Sequence, residues 1–191
     1  MVAVALKDIS LRYSRQWTLL RISAEFPEGK STLITGDNGA GKTTLLRVVA
    51  TALRPTRGQV EIFGQDALKA RESVRAQLGM ISHNSHLYYD LSALENLKLV
   101  SEFSGVGGSV SDPVAALERV GLQDAAHQVV RSFSAGMKRR VMIARLLMRD
   151  PRLVILDEPF GQLDPGGVEL MKEVFGELQE RGCTILLATH Q

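Results

Sequence analysis

The stretch Gly36-Asp37-Asn38-Gly39-Ala40-Gly41-Lys42-Thr43-Thr44 has the residue types that grip a phosphate chain: a glycine, four intervening residues, then Gly-Lys-Thr. Glycines let successive backbone N–H groups turn inward around an anion without Cβ clashes, and a helix starting near Lys42 aims its positive end at the same point. In such a loop the lysine, here Lys42, reaches the β- and γ-phosphates of a nucleoside triphosphate and Thr43 ligates Mg2+. A second set, Val154-Ile155-Leu156-Asp157-Glu158-Pro159, delivers two adjacent carboxylates at the end of an apolar run. Asp157 is expected to support Mg2+ with Thr43, and Glu158 to polarise an attacking water. Two acids after an apolar run are also common in turns, so their meaning comes from their pairing with the phosphate loop. A third set, Arg131-Ser132-Phe133-Ser134-Ala135-Gly136-Met137-Lys138-Arg139-Arg140, precedes a helix over Val141–Met148. Ser134 is a natural N-cap there, presenting a hydroxyl and N–H groups at a positive helix end. Plain capping, with Lys138, Arg139 and Arg140 as a solvated face, fits the same residues.

The elements that must position these groups follow from pattern. Ser31–Thr35 is a β-prone run before the loop, and Leu45–Ala50 reads as a buried helix after it. Val2–Tyr13 and Trp17–Phe26 read as two strands, the second ended by Pro27-Glu28-Gly29, and together they form an antiparallel flap. Tyr13 and Trp17 are rivals for stacking on a nucleotide base, a contact worth about 1–3 kcal/mol in nucleic-acid systems, and either fits packing on the sheet equally well. A turn at Arg54–Gly58, a strand over Gln59–Phe63, an amphipathic helix over Ala67–Gln77 and a buried strand over Leu78–Ser82 come next. From His83 to about Asp150 the texture is helical and polar on one side, which interrupts the alternation of strand and helix. Ser92-Ala93-Leu94-Glu95 is a capping box, Gly105-Val106-Gly107-Gly108-Ser109 a flexible break, and Asp112-Pro113 the cap of a further helix with Gly121 past its end. Leu153–Leu156 reads as a strand buried on both faces of a parallel sheet, whose carboxyl end brings Asp157 and Glu158 beside the phosphate loop.

Composition excludes several classes. The 191 residues make one domain of ordinary size with room for a small inserted subdomain. Charged residues are 23% and the net charge is +2, so long-range attraction to nucleic acid or anionic lipid is weak and no nucleic-acid partner is expected. The lone cysteine, Cys183, lies in an apolar run and reads as a small buried hydrophobe. No apolar stretch approaches the roughly 18 residues that cross a bilayer, and the N-terminus lacks a signal-peptide pattern, so the chain is expected to stay in the cytoplasm and reach a membrane only through a partner. No Asn-Lys-x-Asp for guanine occurs, and a dinucleotide fold is disfavoured because Gly39-Ala40-Gly41 lacks the third glycine and has Lys42 instead.

The phosphate loop, Phe133-Ser134-Ala135-Gly136-Met137, Leu156-Asp157-Glu158-Pro159, Gln162-Leu163-Asp164 and Thr189-His190, in that order, resemble the ATP-binding subunit of an ABC transporter over nearly the whole chain. The resemblance implies a P-loop NTPase (RecA-like) α/β fold: a parallel-sheet core (1–82 and 150–191), an N-terminal antiparallel β flap, and an inserted helical subdomain (83–149). It implies ATP and Mg2+ as ligands and a homodimer in which Ser134 and Gly136 of one subunit contact the γ-phosphate of ATP held by the other. Gly36, Asn38, Gly39, Ala40, Gly41, Lys42, Thr43 and Thr44 then hold the phosphates, Tyr13 takes the base-stacking place, and Asp164 lies in the loop joining the two sites. His190 becomes the switch histidine, contacting γ-phosphate and lytic water beside Glu158.

Two positions depart from the family pattern. Phe133, Ala135 and Met137 replace three residues of the usual Leu-Ser-Gly-Gly-Gln, and His83 stands where a glutamine senses Mg2+ and meets the membrane subunit. Imidazole is a poor ligand for Mg2+, so His83 is expected to act through hydrogen bonds or coupling. His83, Leu91-Ser92-Ala93-Leu94-Glu95-Asn96-Leu97, Ser134-Ala135-Gly136 and the ending Ala188-Thr189-His190-Gln191 look most like the haem-exporter ATPases of cytochrome c maturation. That implies polytopic membrane subunits as partners and a peripheral place on the cytoplasmic side of the bacterial inner membrane. Another exporter ATPase of different cargo is the alternative. A soluble ABC ATPase of DNA repair or translation usually carries a coiled coil or tandem copy, and neither is present in these residues.

Overall fold

The computed structural model describes residues 1–82, 86–103 and 112–189. His83, Gly105–Ser109 and His190 lie outside them. The chain divides into two compact units, one of Met1–Met80, Arg152–Glu158 and Leu178–Gln191, the other of Ile81–Pro151 and Pro159–Glu177.

The first unit carries β1 (Val2–Tyr13), β2 (Gln16–Pro27), β3 (Ser31–Ile34), α1 (Lys42–Val49), β4 (Arg57–Ile62), β5 (Gln65–Asp66), α2 (Arg71–Ala76), β6 (Leu78–Ile81), β7 (Leu153–Asp157) and β8 (Thr184–Ala188). The strands form two sheets, an antiparallel one ordered β2-β1-β4-β5 and one ordered β3-β8-β7-β6 in which β3, β8 and β7 run parallel. Between them a single hydrophobic core gathers Val4, Ile9 and Ile62 of the flap, Leu46 and Val49 of α1, and Ile155 and Leu186 of the parallel strands, all fully buried. β1 mixes buried stretches (Ala3, Val4, Leu6 and Ile9–Leu11) with exposed ones, whereas β7 is buried at every position, which is why it reads as an unbroken apolar run.

The pairing of β1 with β2 shifts register at four places, two of them at Asp8 and Arg21. Between Leu6 and Ile9 the first strand spends an extra residue against Ala24–Ile22, and between Ile22 and Leu19 the second strand does the same against Ile9–Leu11. Asp8 and Arg21, the residues at the bulges, adopt φ of 51° and 50°. Their N–H groups donate instead to serine hydroxyls, Asp8 N to Ser23 Oγ at 3.0 Å and Arg21 N to Ser10 Oγ at 2.9 Å. The helix expected over Ala67–Gln77 is confined to Arg71–Ala76. The Asp66 carboxylate accepts from Lys69 N at 3.1 Å and Leu68 N at 3.0 Å, and this local turn competes with a helical start. The same N–H groups hold the Asp66 carboxyl below the usual carboxylate range.

The second unit is helical: α3 (Ala93–Phe103), α4 (Pro113–Arg119), α5 (Ala135–Leu147) and most of α6 (Pro165–Glu180), with 3-10 turns at Gln123–Ala125 and Val130–Ser132. The capping box forms as expected, Glu95 N donating to Ser92 Oγ at 3.2 Å and Ser92 N to Glu95 Oε2 at 2.7 Å. Asp112 caps α4 by accepting from Val114 N at 3.1 Å, and Gly121 turns the chain after it at φ 70°. Asn96, 5% exposed, pins the preceding loop: its Oδ1 accepts from Tyr88 N at 2.8 Å and its Nδ2 donates to the carbonyls of Tyr88 and Ser92, each at 2.9 Å. Residues 159–177 belong to this unit, with Leu170, Met171 and Val174 buried, and ion pairs also link them to its helices. Arg119 of α4 meets Glu177 and Glu173 of α6 at 2.7 and 3.2 Å, and Arg140 of α5 meets Asp164 at 3.1 Å.

Candidate nucleotide site

Parallel pairing sets Ile34 opposite Ala188 and Ala188 opposite Asp157, so β3, β8 and β7 end in line. The phosphate loop leaves the sheet from β3 at that edge and Glu158 leaves it from β7, at the carboxyl ends where such sheets bind ligands. The loop runs into α1 through Gly41 at φ 91°, a left-handed turn that glycine takes without strain. A side chain there has no room either, since a Cβ would stand 2.9 Å from Leu19 Cδ2 and 3.0 Å from Thr18 O on β2.

Helix α1 begins without a side-chain cap and with no acidic residue in its first turn. Its first hydrogen bond is Leu45 N to Gly41 O at 2.8 Å, so the N–H groups of Lys42, Thr43 and Thr44 precede the helical ladder and face the loop end with the positive pole. Lys42 arches back across the loop, its ammonium donating to Gly36 O at 2.6 Å and Asp37 O at 3.1 Å. An ammonium beside the leading N–H groups of a helix is a cradle for a polyanion.

Beneath the cradle the Thr43 hydroxyl donates to Asp157 Oδ1 at 3.0 Å. Asp157 is 2% exposed. A hydroxyl and a carboxylate oxygen side by side form a hard-oxygen pair that suits Mg2+. No group of three or more His, Cys, Asp or Glu able to hold a metal occurs among the described residues. Glu158 follows at φ 52°, an unusual value outside glycine, with its N–H donating to Ala188 O at 3.0 Å. The turn at Glu158 swings its side chain out of the alternation of β7.

On the flap, Tyr13 ends β1 and is 50% exposed. Trp17, its rival, lies with the Arg12 guanidinium 5.6 Å from its ring centroid, an intramolecular cation–π contact. In the helical unit Ser134 caps α5, its Oγ accepting from Met137 N at 3.2 Å, which leaves the hydroxyl hydrogen to point elsewhere. Gly136 sits against the segment before α6, where a Cβ would stand 3.5 Å from Gln162 O. Asp164 caps α6, accepting from Gly167 N at 3.2 Å while the Arg140 guanidinium grips the same carboxylate. Lys138, Arg139 and Arg140 do not form a solvated face. Arg139 is 5% exposed, and the other two are half-buried, Lys138 with its ammonium 5.0 Å from the Tyr89 ring centroid.

The family model described as "ABC transporter" matches residues 19–161. The chain belongs to the ABC transporter family. Within it, this ABC protein is 37% identical over 185 residues to the bacitracin transport ATP-binding protein BcrA of Bacillus licheniformis, an alignment covering 96% of this chain and 60% of that protein. It thus spans about three fifths of that relative's length. It is 32% identical over 188 residues to the cytochrome c biogenesis ATP-binding export protein CcmA of Haemophilus influenzae, covering 98% of this chain and 89% of the relative. Among solved structures, the dimeric post-hydrolysis state of the ATP-binding cassette MJ0796 bound to ADP and Pi superimposes with a TM-score of 0.87 at 26% identity, covering 98% of this chain and 88% of that one. The P-loop NTPase fold expected from the motifs is therefore the fold of this ABC domain.

The Arg140 side chain, then the Gly167 N–H, hold the Asp164 carboxyl below the usual carboxylate range. A depressed folded-state pKa means this stabilisation is complete above the unfolded value of about 3.9 and is lost as pH falls through the folded value. Asp164→Asn is expected to flatten the acid limb of the stability curve, wild type and variant converging at its acid end, as read by chemical denaturation at a series of pH values.

Proposed function

We propose that this chain binds and hydrolyses ATP as one of a pair of nucleotide-binding subunits that drive a membrane transporter. The observation that carries the reading is the Thr43–Asp157 contact at 3.0 Å beneath the Gly36–Thr44 loop, with Glu158 as the next residue. Gly36, Asn38, Gly39, Ala40, Gly41 and Thr44 present the loop's backbone to the phosphates, and Lys42 moves its ammonium from the loop carbonyls onto them. Thr43 and Asp157 hold Mg2+, which on binding neutralises charge on the phosphate oxygens. Glu158 accepts a proton from the attacking water, His190 steadies that water and the γ-phosphate, and Tyr13 stacks on the base. His83 contributes by hydrogen bonding, since nitrogen suits Mg2+ poorly.

One chain offers a phosphate loop and a separate helix end at Ser134 and Gly136, and twofold pairing lets each helix end complete the partner's site. The γ-phosphate bridges the pair, and hydrolysis removes the bridging group, so affinity differs between the two states and pairing can be driven. The dimeric form of the solved neighbour supports this reading. Among the described residues no helix is long and apolar enough to cross a membrane. We place the chain peripherally on the cytoplasmic side of a bacterial inner membrane, held by polytopic partner subunits.

For cargo we infer haem handling in cytochrome c biogenesis. His83, Ser134-Ala135-Gly136 and the 32% identity to a cytochrome c biogenesis export protein support it. The 37% identity to a bacitracin transport protein favours a second reading, an exporter of another cargo.

Glu158→Gln is expected to cut ATP turnover by about 10²–10⁴-fold with nucleotide affinity intact; wild-type turnover would remove the assignment. Ser134→Arg is expected to abolish ATP-dependent pairing in light scattering while leaving nucleotide binding, whereas unchanged pairing rejects the shared site. Proteins co-purifying with the tagged chain from its own membranes decide the cargo. Cytochrome c maturation subunits are expected, and an antibiotic-export permease would replace the haem reading without touching the ATPase one.

A further inference from the structure

Arg139 is buried in the second unit with 5% exposure, although a guanidinium is among the costliest groups to take out of water. Its planar fork spans two chain segments that are far apart in sequence: Nη1 donates to Ser82 O at 2.7 Å and Nε to Pro159 O at 3.3 Å. No buried side-chain nitrogen or oxygen among the described residues lacks a hydrogen-bond partner. Ser82 is the residue immediately after β6 and immediately before His83. Pro159 is bonded directly to Glu158, the residue held at φ 52°. Arg139 stands one helical turn beyond Gly136, on the same side of α5, where a Cβ placed on Gly136 would meet Gln162 O at 3.5 Å.

We propose that Arg139 is a positioning residue for the ATPase reaction, locking the backbone on the far side of Glu158 to the exit of β6 through one guanidinium carried by α5. This rests on the reading of Glu158 as the general base. The physical reasoning is that a fork with fixed spacing between its N–H groups sets two carbonyls at once, which neither an aliphatic side chain nor a single-point ammonium does. The chain on the C-terminal side of Glu158 is thereby tied to the same helix whose first turn bears Ser134 and Gly136. When that turn engages nucleotide, the Pro159 carbonyl is held with it, and the carboxylate of Glu158 is presented in one orientation. Misplacement of a reacting group by about 1 Å costs on the order of 10²-fold in rate, so the effect belongs in kcat rather than in ATP affinity.

The test uses the purified full chain and MgATP. Arg139→Met, which keeps the volume of the side chain, is expected to lower kcat by about 10- to 100-fold with the KM for ATP within about twofold of wild type. Arg139→Lys, able to reach one carbonyl, is expected to fall between the two. In the Glu158→Gln background, followed by single-turnover hydrolysis, Arg139→Lys is expected to add no further loss, because both act through the same carboxylate. A folded Arg139→Lys or Arg139→Met protein with wild-type kcat overturns the proposal, as does a loss that multiplies undiminished onto Glu158→Gln. Failure of both variants to fold would assign Arg139 to the fold alone and overturn it equally. The two ideas separate cleanly: if Glu158→Gln itself leaves turnover unchanged, the general-base reading fails, whereas a slow Glu158→Gln beside a fast Arg139→Met rejects only the positioning role.

Discussion

The hydrogen bond from Thr43 to Asp157 is the constraint around which the first unit is arranged. It joins the first turn of α1 to the end of β7, two elements that the chain separates by 114 positions. A carboxylate as buried as Asp157 is costly without partners, and it is placed there by β7, a strand with no exposed face. The parallel register of β3, β8 and β7 carries the requirement outward, since a one-residue slip would turn Asp157 to the opposite face and break the contact with Thr43. The close fit of Leu19 and Thr18 against Gly41 adds the flap to the same arrangement. Sheet, helix and flap are thus each fitted to one loop.

The helical unit is held on different terms. Leu97, Leu117, Ile143 and Met171 supply its apolar interior. Its helices are also cross-linked by arginines. The pairs from Arg119 to Glu173 and Glu177 are exposed, and such pairs contribute little individually. Arg140 does more, because it reaches both the carbonyl of Val120 at 3.1 Å, just past α4, and the Asp164 carboxylate at the start of α6. Gly167 belongs to this arrangement too. A Cβ there would stand 2.8 Å from Asp164 Oδ1, in the space the capping carboxylate needs.

Much of this was legible in the residues. The phosphate loop, the Ser92 and Asp112 caps, the Ser134 N-cap and the buried β7 each depend on short-range rules, and each forms where those rules place it. What could not be read is long-range. Hydrophobic pattern made Ala67–Gln77 a helix, but the Asp66 carboxylate captures two N–H groups and delays the start to Arg71. The run Lys138-Arg139-Arg140 has the composition of a surface, and only tertiary packing shows that carbonyls of distant segments await Arg139. Residues 159–177 followed the Asp157-Glu158 strand in sequence and were expected in the core, while the buried Leu170, Met171 and Val174 lie in a stretch that groups with the helices. Asn96 likewise gave no local sign that it would be buried and fully engaged with a loop. The bulges at Asp8 and Arg21 are of the same kind, since a strand pattern does not reveal where a partner strand inserts a residue.

Trp17 is the only tryptophan in the chain, and it sits on the flap beside Arg12, adjacent to the Thr18–Leu19 pair that contacts Gly41. Its indole is 39% exposed, so solvent and the neighbouring guanidinium both influence its emission. The chain therefore carries its one indole beside the phosphate loop, while the helical unit holds tyrosines, Tyr88 and Tyr89, and no tryptophan. Excitation selective for tryptophan thus reads the surroundings of the flap, whereas tyrosine emission also draws on Tyr89 beside Lys138 of α5.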